Sequence, residues 1–171
     1  MPDWDEDSPK LRKNLQAVLR GIRDAAQQRK PLTLTSIRKW HRQTMRGLTV
    51  PAQKYVGQLR GEPGLKGVEV AVGKYPGTPP DQVATELNHF MNRLSRILSR
   101  MDDAISTRAD LTADQLEAVL QVCAWAHSEW VHIHPFANGN GRTARLLANA
   151  IALRYGLPPF VRLRPRPHHR Y

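Results

Sequence analysis

Apolar positions recur along this chain at intervals of three and four, the spacing of one helix face. The first stripe is Leu11, Leu15, Leu19 and Ile22, opened by Ser8-Pro9, a pair suited to an N-cap and first helical position. It stops at Lys30-Pro31, because the residue before a proline avoids helical angles. A second helix is expected from Thr33 or Thr35, with Ile37, Trp40 and Met45 inward, ending near Gly47. Val83, Leu87, Phe90, Met91, Leu94 and Leu98 predict a third, capped by Thr78 or Asp81. A fourth runs from Thr112, with Asp114 and Gln115 in its first turn, to His132. Its apolar residues are Leu116, Val119, Leu120, Cys123, Trp130 and Val131. A fifth carries Leu146, Leu147, Ala150, Ile151 and Leu153 and ends at Gly156.

Residues 48–80 lack this rhythm and are dense in glycine and proline, which is loop chemistry. Inside them Val68-Glu69-Val70-Ala71-Val72 alternates, so a short strand or hairpin is expected there. Leu157-Pro158-Pro159-Phe160 reads as extended, and residues 161–171 as a basic, proline-rich flexible tail. The pattern as a whole is all-α with one small hairpin.

Composition narrows the class. A chain of 171 residues, 40% hydrophobic, suits one domain with a real core. Its formal charge of +11 permits acidic partners of several kinds and selects none. The one cysteine, Cys123, gives no disulfide framework and fits a reducing compartment. On an apolar stripe it reads as a core thiol. The acidic start, Met1 to Asp7, has no secretory pattern, and no stretch reaches membrane-spanning length. A cytoplasmic location is therefore expected, with no membrane partner.

Candidate chemistry gathers at His134-Pro135-Phe136-Ala137-Asn138-Gly139-Asn140-Gly141-Arg142-Thr143-Ala144-Arg145, between the fourth and fifth helices. Gly139 and Gly141 can take backbone angles closed to other residues and expose N–H groups. A helix start with such groups is an anion site. Arg142 and Arg145 share a face of its first turn, where cations oppose the helix dipole unless a phosphate lies between them. Pro135 stops the fourth helix at His134, leaving an imidazole beside the cradle that can take a proton. Phe136 reads as a core anchor for the turn.

The run resembles the Fic motif, His-Pro-Phe-x-(Asp/Glu)-Gly-Asn-Gly-Arg-x-x-Arg, at every specified position but one. The departure is Asn138, where the family has the acid that holds Mg²⁺. The resemblance implies a Fic-like helical bundle over residues 35–160, with 1–34 as an N-terminal helical extension and 161–171 as the tail. Gly57 and Arg60 are similar to the family's Gly-x-x-Arg leading into a β-hairpin flap. Val68, Glu69, Val70, Ala71 and Val72 would dock the target by strand addition.

The activity implied is that of a protein adenylyltransferase. ATP would sit with its phosphates on Gly139, Asn140, Gly141, Arg142 and Arg145. His134 would be the base, AMP would pass to a Ser, Thr or Tyr hydroxyl of a target protein, and pyrophosphate would leave. Mg²⁺ is implied too, weakened because an amide brings no charge. A Fic-like pseudoenzyme that binds nucleotide without turnover is the alternative, and the basic charge also allows a nucleic-acid binder, although no zinc-finger or RNA-recognition pattern is present. A Doc-like kinase fits less well, since that pattern has Lys in place of the second glycine. His127, His132, His134 and Glu129 lack zinc spacing, and no P-loop occurs.

Many Fic enzymes are similar in being held off by a helix with Ser/Thr-x-x-x-Glu-Gly/Asn. None of Glu6, Glu62, Glu69, Glu86, Glu117 and Glu129 has Ser or Thr four residues before it. Two expectations stay open: a small acidic antitoxin-like chain carries that helix, as in a toxin–antitoxin pair, or a weakened metal site makes inhibition unnecessary.

Overall fold

A computed structural model of the chain describes residues 8–106 and 110–161. The acidic start and, from residue 162 on, the expected basic tail lie outside the described residues. Five helices follow in order: α1 (Pro9–Gln27), α2 (Leu34–Thr44), α3 (Val83–Ala104), α4 (Ala113–Ile133) and α5 (Asn140–Arg154). Among the described residues one hairpin occurs, pairing β1 (Ala71–Val72) with β2 (Tyr75–Pro76), antiparallel, Ala71 opposite Pro76 and Val72 opposite Tyr75. The bundle is all-α, as the periodicity predicts. No described helix is long and apolar enough to cross a membrane.

Local chemistry sets most helix starts. Ser8 accepts from the Leu11 N–H with Pro9 in the first turn. Thr33, rather than Thr35, accepts from Ser36. Thr112 and Gln115 form a reciprocal capping box, a pairing whose N-cap is typically worth about 1 kcal/mol. The third helix departs from expectation. It begins at Val83 after Gln82, which makes no side-chain cap. Thr78 is buried instead in the flap's connection, where its carbonyl serves Arg60.

The centre of the bundle is α5. It packs along α4, with α1 and α2 on its other sides and α3 against α4. It is buried on every face, so it carries the small residues Ala144, Ala148, Ala150 and Ala152 among its large ones. The inward face of α4 is Val119, Cys123, Ala126, Trp130 and Ile133. Leu116 and Leu120, expected inside, are exposed. They lie in the first turns of α4, beyond the buried residues Val119 to Ile133 or at the edge of their stripe, and helical spacing alone does not say how far the covering surface extends. The hairpin is also shorter than the alternating run. Val68, Glu69 and Val70 lie outside the ladder, although the Gly77 N–H still donates to the Val70 carbonyl at 2.9 Å.

At the end of α5 remote from its first turn, Arg154 donates to Asp102 through Nε at 2.9 Å and through Nη2, and to the Lys30 carbonyl at 2.8 Å. The Tyr155 hydroxyl donates to the same carboxylate at 3.1 Å. This cluster fastens the α1–α2 linker, the end of α3 and the end of α5 together. Burial alone would raise the Asp102 pKa, but the hydrogen bonds and charge of Arg154, with Tyr155 and Arg29, hold it below the ordinary carboxylate value. A depressed carboxylate stabilises the fold above its unfolded pKa and loses that contribution as pH falls. Asp102→Ala should therefore destabilise by about 2–4 kcal/mol at neutral pH, the pair being only partly buried. In urea denaturation the difference from wild type should shrink once pH drops below about 4. An undiminished difference in acid would show that charge is not the cause.

Candidate functional site

The last turn of α4 fixes the imidazole. His134 is the C-cap residue and takes left-handed angles, φ 52 and ψ 56, with Pro135 next. A non-glycine residue held there is strained by about 1–2 kcal/mol. Its Nδ1 lies 2.9 Å from the Val131 carbonyl. A carbonyl only accepts, so Nδ1 carries the proton and Nε2 keeps its lone pair. Burial, and then the charge of Arg60, lower the pKa against the Val131 bond that raises it, so the ring is neutral at physiological pH.

The segment after His134 is a closed loop. Asn140 accepts from the Phe136 N–H at 2.8 Å and donates to the Phe136 carbonyl at 2.7 Å. Its side chain therefore closes the turn, and any contact it makes to phosphate is through its N–H. Phe136 is fully buried, as expected of an anchor. Gly139 is the N-cap of α5 with φ 79, and a Cβ there would stand 2.6 Å from the Met45 methyl. Only glycine satisfies both the angle and the space. The first intrahelical bond is Thr143 N–H to the Gly139 carbonyl at 2.9 Å. The N–H groups of Asn140, Gly141 and Arg142 therefore have no acceptor within the helix. Gly141 is helical and not at positive φ, so the expectation of special backbone angles holds for Gly139 alone. At Gly141 small size matters. A Cβ would sit 3.4 Å from Nη1 of Arg145, whose side chain folds back over the first turn. The place a Gly139 Cβ would fill is 3.4 Å from Nη2 of Arg142. Both guanidinium groups thus stand at the N-terminal end of α5.

His41 is the residue the motif does not reveal. Its Nε2 donates to the Asn138 carbonyl at 2.9 Å and its Nδ1 accepts from the Gly57 N–H at 3.0 Å. Its ring stacks on Phe136 with centroids 3.9 Å apart. Burial, with the charges of Arg142 and Arg42, pushes its pKa down to about 4 despite the Asn138 bond. It is a neutral strut between α2, the Gly57 loop and the loop before α5. In the sequence it lies 97 positions from Asn138, with nothing but a polar residue on a buried helix face to mark it.

Arg60 carries the flap. It is 2% exposed and donates to the carbonyls of Val68 and Thr78, at the two ends of the flap, and of Ile133 and His134, at the end of α4. Its own N–H donates to the Pro135 carbonyl at 2.8 Å. The chain leaving β2 then passes close to the base of the His134 side chain. A Cβ on Gly77 would be 3.3 Å from Cβ of His134 and 2.9 Å from Val70.

Asn138 decides the metal question. Its Oδ1 accepts from Nη2 of Arg142 at 3.2 Å and lies against the Gly139 N–H. It is neutral and already faces a cation. No Asp or Glu occurs in the sequence after Glu129. Among the described residues no group of three His, Cys, Asp or Glu side chains could hold a metal, and His127, His132 and Glu129 form none. A resident Mg²⁺, which prefers carboxylates with near-ideal octahedral geometry, does not fit this donor set.

The chain matches the Fic/DOC family over residues 31–152, well over half of its length. The protein adenylyltransferase fic-1 of Caenorhabditis elegans is 34% identical over 97 residues, 57% of this chain and 16% of that protein. The protein adenylyltransferase Fic of Aedes aegypti is 34% identical over 103 residues, 60% of this chain and 17% of that protein. The chain thus spans under a fifth of the length of these relatives. A Fic domain containing signaling protein from Bacteroides thetaiotaomicron shares the fold, with a TM-score of 0.64 at 24% identity, over 89% of this chain and 50% of that one. With the family's motif seated on a closed loop at the N-terminus of a central helix, this chain belongs to the Fic/DOC family.

Proposed function

We propose that this chain is a protein adenylyltransferase, moving AMP from ATP to a hydroxyl of a target protein. The observation that carries the reading is the pairing of a neutral His134, proton fixed on Nδ1, with the guanidinium-flanked first turn of α5. The relatives named protein adenylyltransferase support it at the level of the family. In this reading the phosphates lie on the N–H groups of Asn140, Gly141 and Arg142, with Arg142 and Arg145 on the outer two. The target hydroxyl gives its proton to Nε2 of His134 as its oxygen bonds to the α-phosphorus. The bond from that phosphorus to the bridging oxygen breaks, and pyrophosphate leaves on the guanidinium groups. The target presents its hydroxyl by pairing its backbone with the flap around Val68, Glu69, Val70, Ala71 and Val72, which tolerates many side chains. A second reading, nucleotide binding without turnover, is favoured by Asn138 alone.

Intact mass of candidate target proteins after incubation with each nucleoside triphosphate separates the two. One adenylyl group added from ATP supports transfer, while saturable ATP binding with no product supports the second reading. His134→Ala should lower the transfer rate by about 10²–10⁴ and leave ATP affinity nearly unchanged. Full activity in that variant rules out the proposed base. In calorimetry Arg145→Ala should weaken ATP more than AMP, because AMP lacks the phosphates that Arg145 meets; equal losses place Arg145 elsewhere. His41→Phe keeps the stack on Phe136 and loses both hydrogen bonds. It should weaken ATP by roughly five- to thirtyfold while adenosine is little affected. His41→Gln, which retains a donor toward the Asn138 carbonyl, should recover part of that loss.

A further inference from the structure

We infer that the groove between α1 and α2 is a second binding site, for a small amphipathic carboxylate: an alkyl chain with one anionic head. The inference is independent of the adenylyltransferase reading. The groove meets α5 at Ala150 and Arg154, the end of that helix remote from His134 and the motif. Helices α1 and α2 run side by side in opposite directions. At one end Lys10 and Asn14 donate to the carbonyls of Gly47 and Thr44, at 2.8 and 3.0 Å. At the other, residues 28–33 turn the chain. Between the helices opens a groove of about 430 Å³. That volume lies within the roughly 300–1,000 Å³ of small-molecule sites. The groove exists because α1 presents Ala17, Gly21 and Ala25 to it at every fourth position, where larger side chains would close it. A Cβ on Gly21 would meet nothing within 4 Å. Below them lie buried apolar groups, Val18 and Ile22 of α1, Trp40 of α2 and Ala150 of α5.

Charge narrows the occupant. Lys30 and Lys39 both line the groove and both are exposed. Neither ammonium group has a hydrogen bond or ion pair among the described residues. No Asp or Glu occurs among the described residues that line the groove. Arg154, the third cation there, is held by Asp102 and donates to the Lys30 carbonyl, so it closes one end of the groove instead of facing a ligand. A lysine lays its stem along apolar surface and keeps its ammonium in water. An anionic head at the rim and an alkyl chain along the floor therefore suit both parts of the lining. A polyphosphate does not, because an apolar floor would strip its charges of water without replacing the hydrogen bonds. Ala17 to Ala25 spans about 12 Å of helix axis. That length holds an extended medium-length chain and only roughly two turns of a docked helix.

The test is calorimetric titration of the whole chain with octanoate, and with octanol as its uncharged counterpart. Wild type should bind one octanoate per chain, and octanol about three- to tenfold more weakly, the worth of one or two exposed charge contacts. Replacing Lys30→Gln together with Lys39→Gln should remove that preference and leave octanol unchanged. Replacing Lys13→Gln together with Lys66→Gln, an equal loss of charge outside the groove, should change neither ligand. Gly21→Leu, a substitution that favours a helix, should weaken both ligands about tenfold or more by filling the groove. Several octanoates per chain without saturation, or no binding, overturns the inference. So does octanol bound as tightly as octanoate, or a control pair that weakens octanoate as much as the rim pair does. Wild-type affinity in Gly21→Leu overturns it too, because the ligand then lies elsewhere. Each of these failures leaves the adenylyltransferase reading standing.

Discussion

One buried guanidinium holds the functional half of this molecule together. Arg60 is closed off from water, and the groups that receive it are main-chain carbonyls from the flap and from the end of α4. The final carbonyls of a helix have no acceptor role inside it and carry the negative end of its dipole. A cation placed there satisfies them and is itself satisfied. Burial lowers the Arg60 pKa, yet the group stays charged across any ordinary pH. Each of these carbonyls left dry would cost about 1–3 kcal/mol, so flap and imidazole are bound to one anchor. The left-handed strain at His134 is tolerated because its carbonyl is one of the four that accept from the Arg60 side chain.

The loop before α5 has a different support. Phe136, Asn140 and Gly139 shape the loop from within, and His41 braces it from α2. His41 works by being uncharged. A protonated ring would turn its Nδ1 acceptor into a donor facing the Gly57 N–H, and would add a cation beside Arg142 and Arg42. The two struts, one cationic and one neutral, meet at the Gly57-to-Arg60 loop, so this short irregular segment positions both halves of the site.

What the sequence made legible follows from where the information resides. Helices α1 to α5 are visible because amphipathic spacing is local, and Ser8, Thr33 and Thr112 cap where their side chains reach their own first turns. The motif from His134 to Arg145 is contiguous, so its grouping was visible too. What failed needed the third dimension. Leu116 and Leu120 share helical spacing with the core but are exposed, and Thr78 lies buried with its carbonyl on Arg60 while α3 starts after Gln82. The side chain of Asn140 closes a turn four residues long, which the motif does not announce, and Gly141 reads like a turn yet lies in a helix. His41 was invisible because its partners are sixteen and ninety-seven positions away.

Cys123 gives this architecture a built-in reporter. It is the chain's one cysteine, and it sits in the seam between α4 and α5, its thiol donating to the Ala148 carbonyl at 3.3 Å. Burial pushes its pKa up to about 12, so at neutral pH the closed protein offers almost no thiolate to a labelling reagent. Modification then proceeds only in the moments when the two helices separate. That seam is the one that sets the imidazole against the phosphate loop. The rate of labelling therefore counts how often the seam between α4 and α5 opens, with nothing else in the tube.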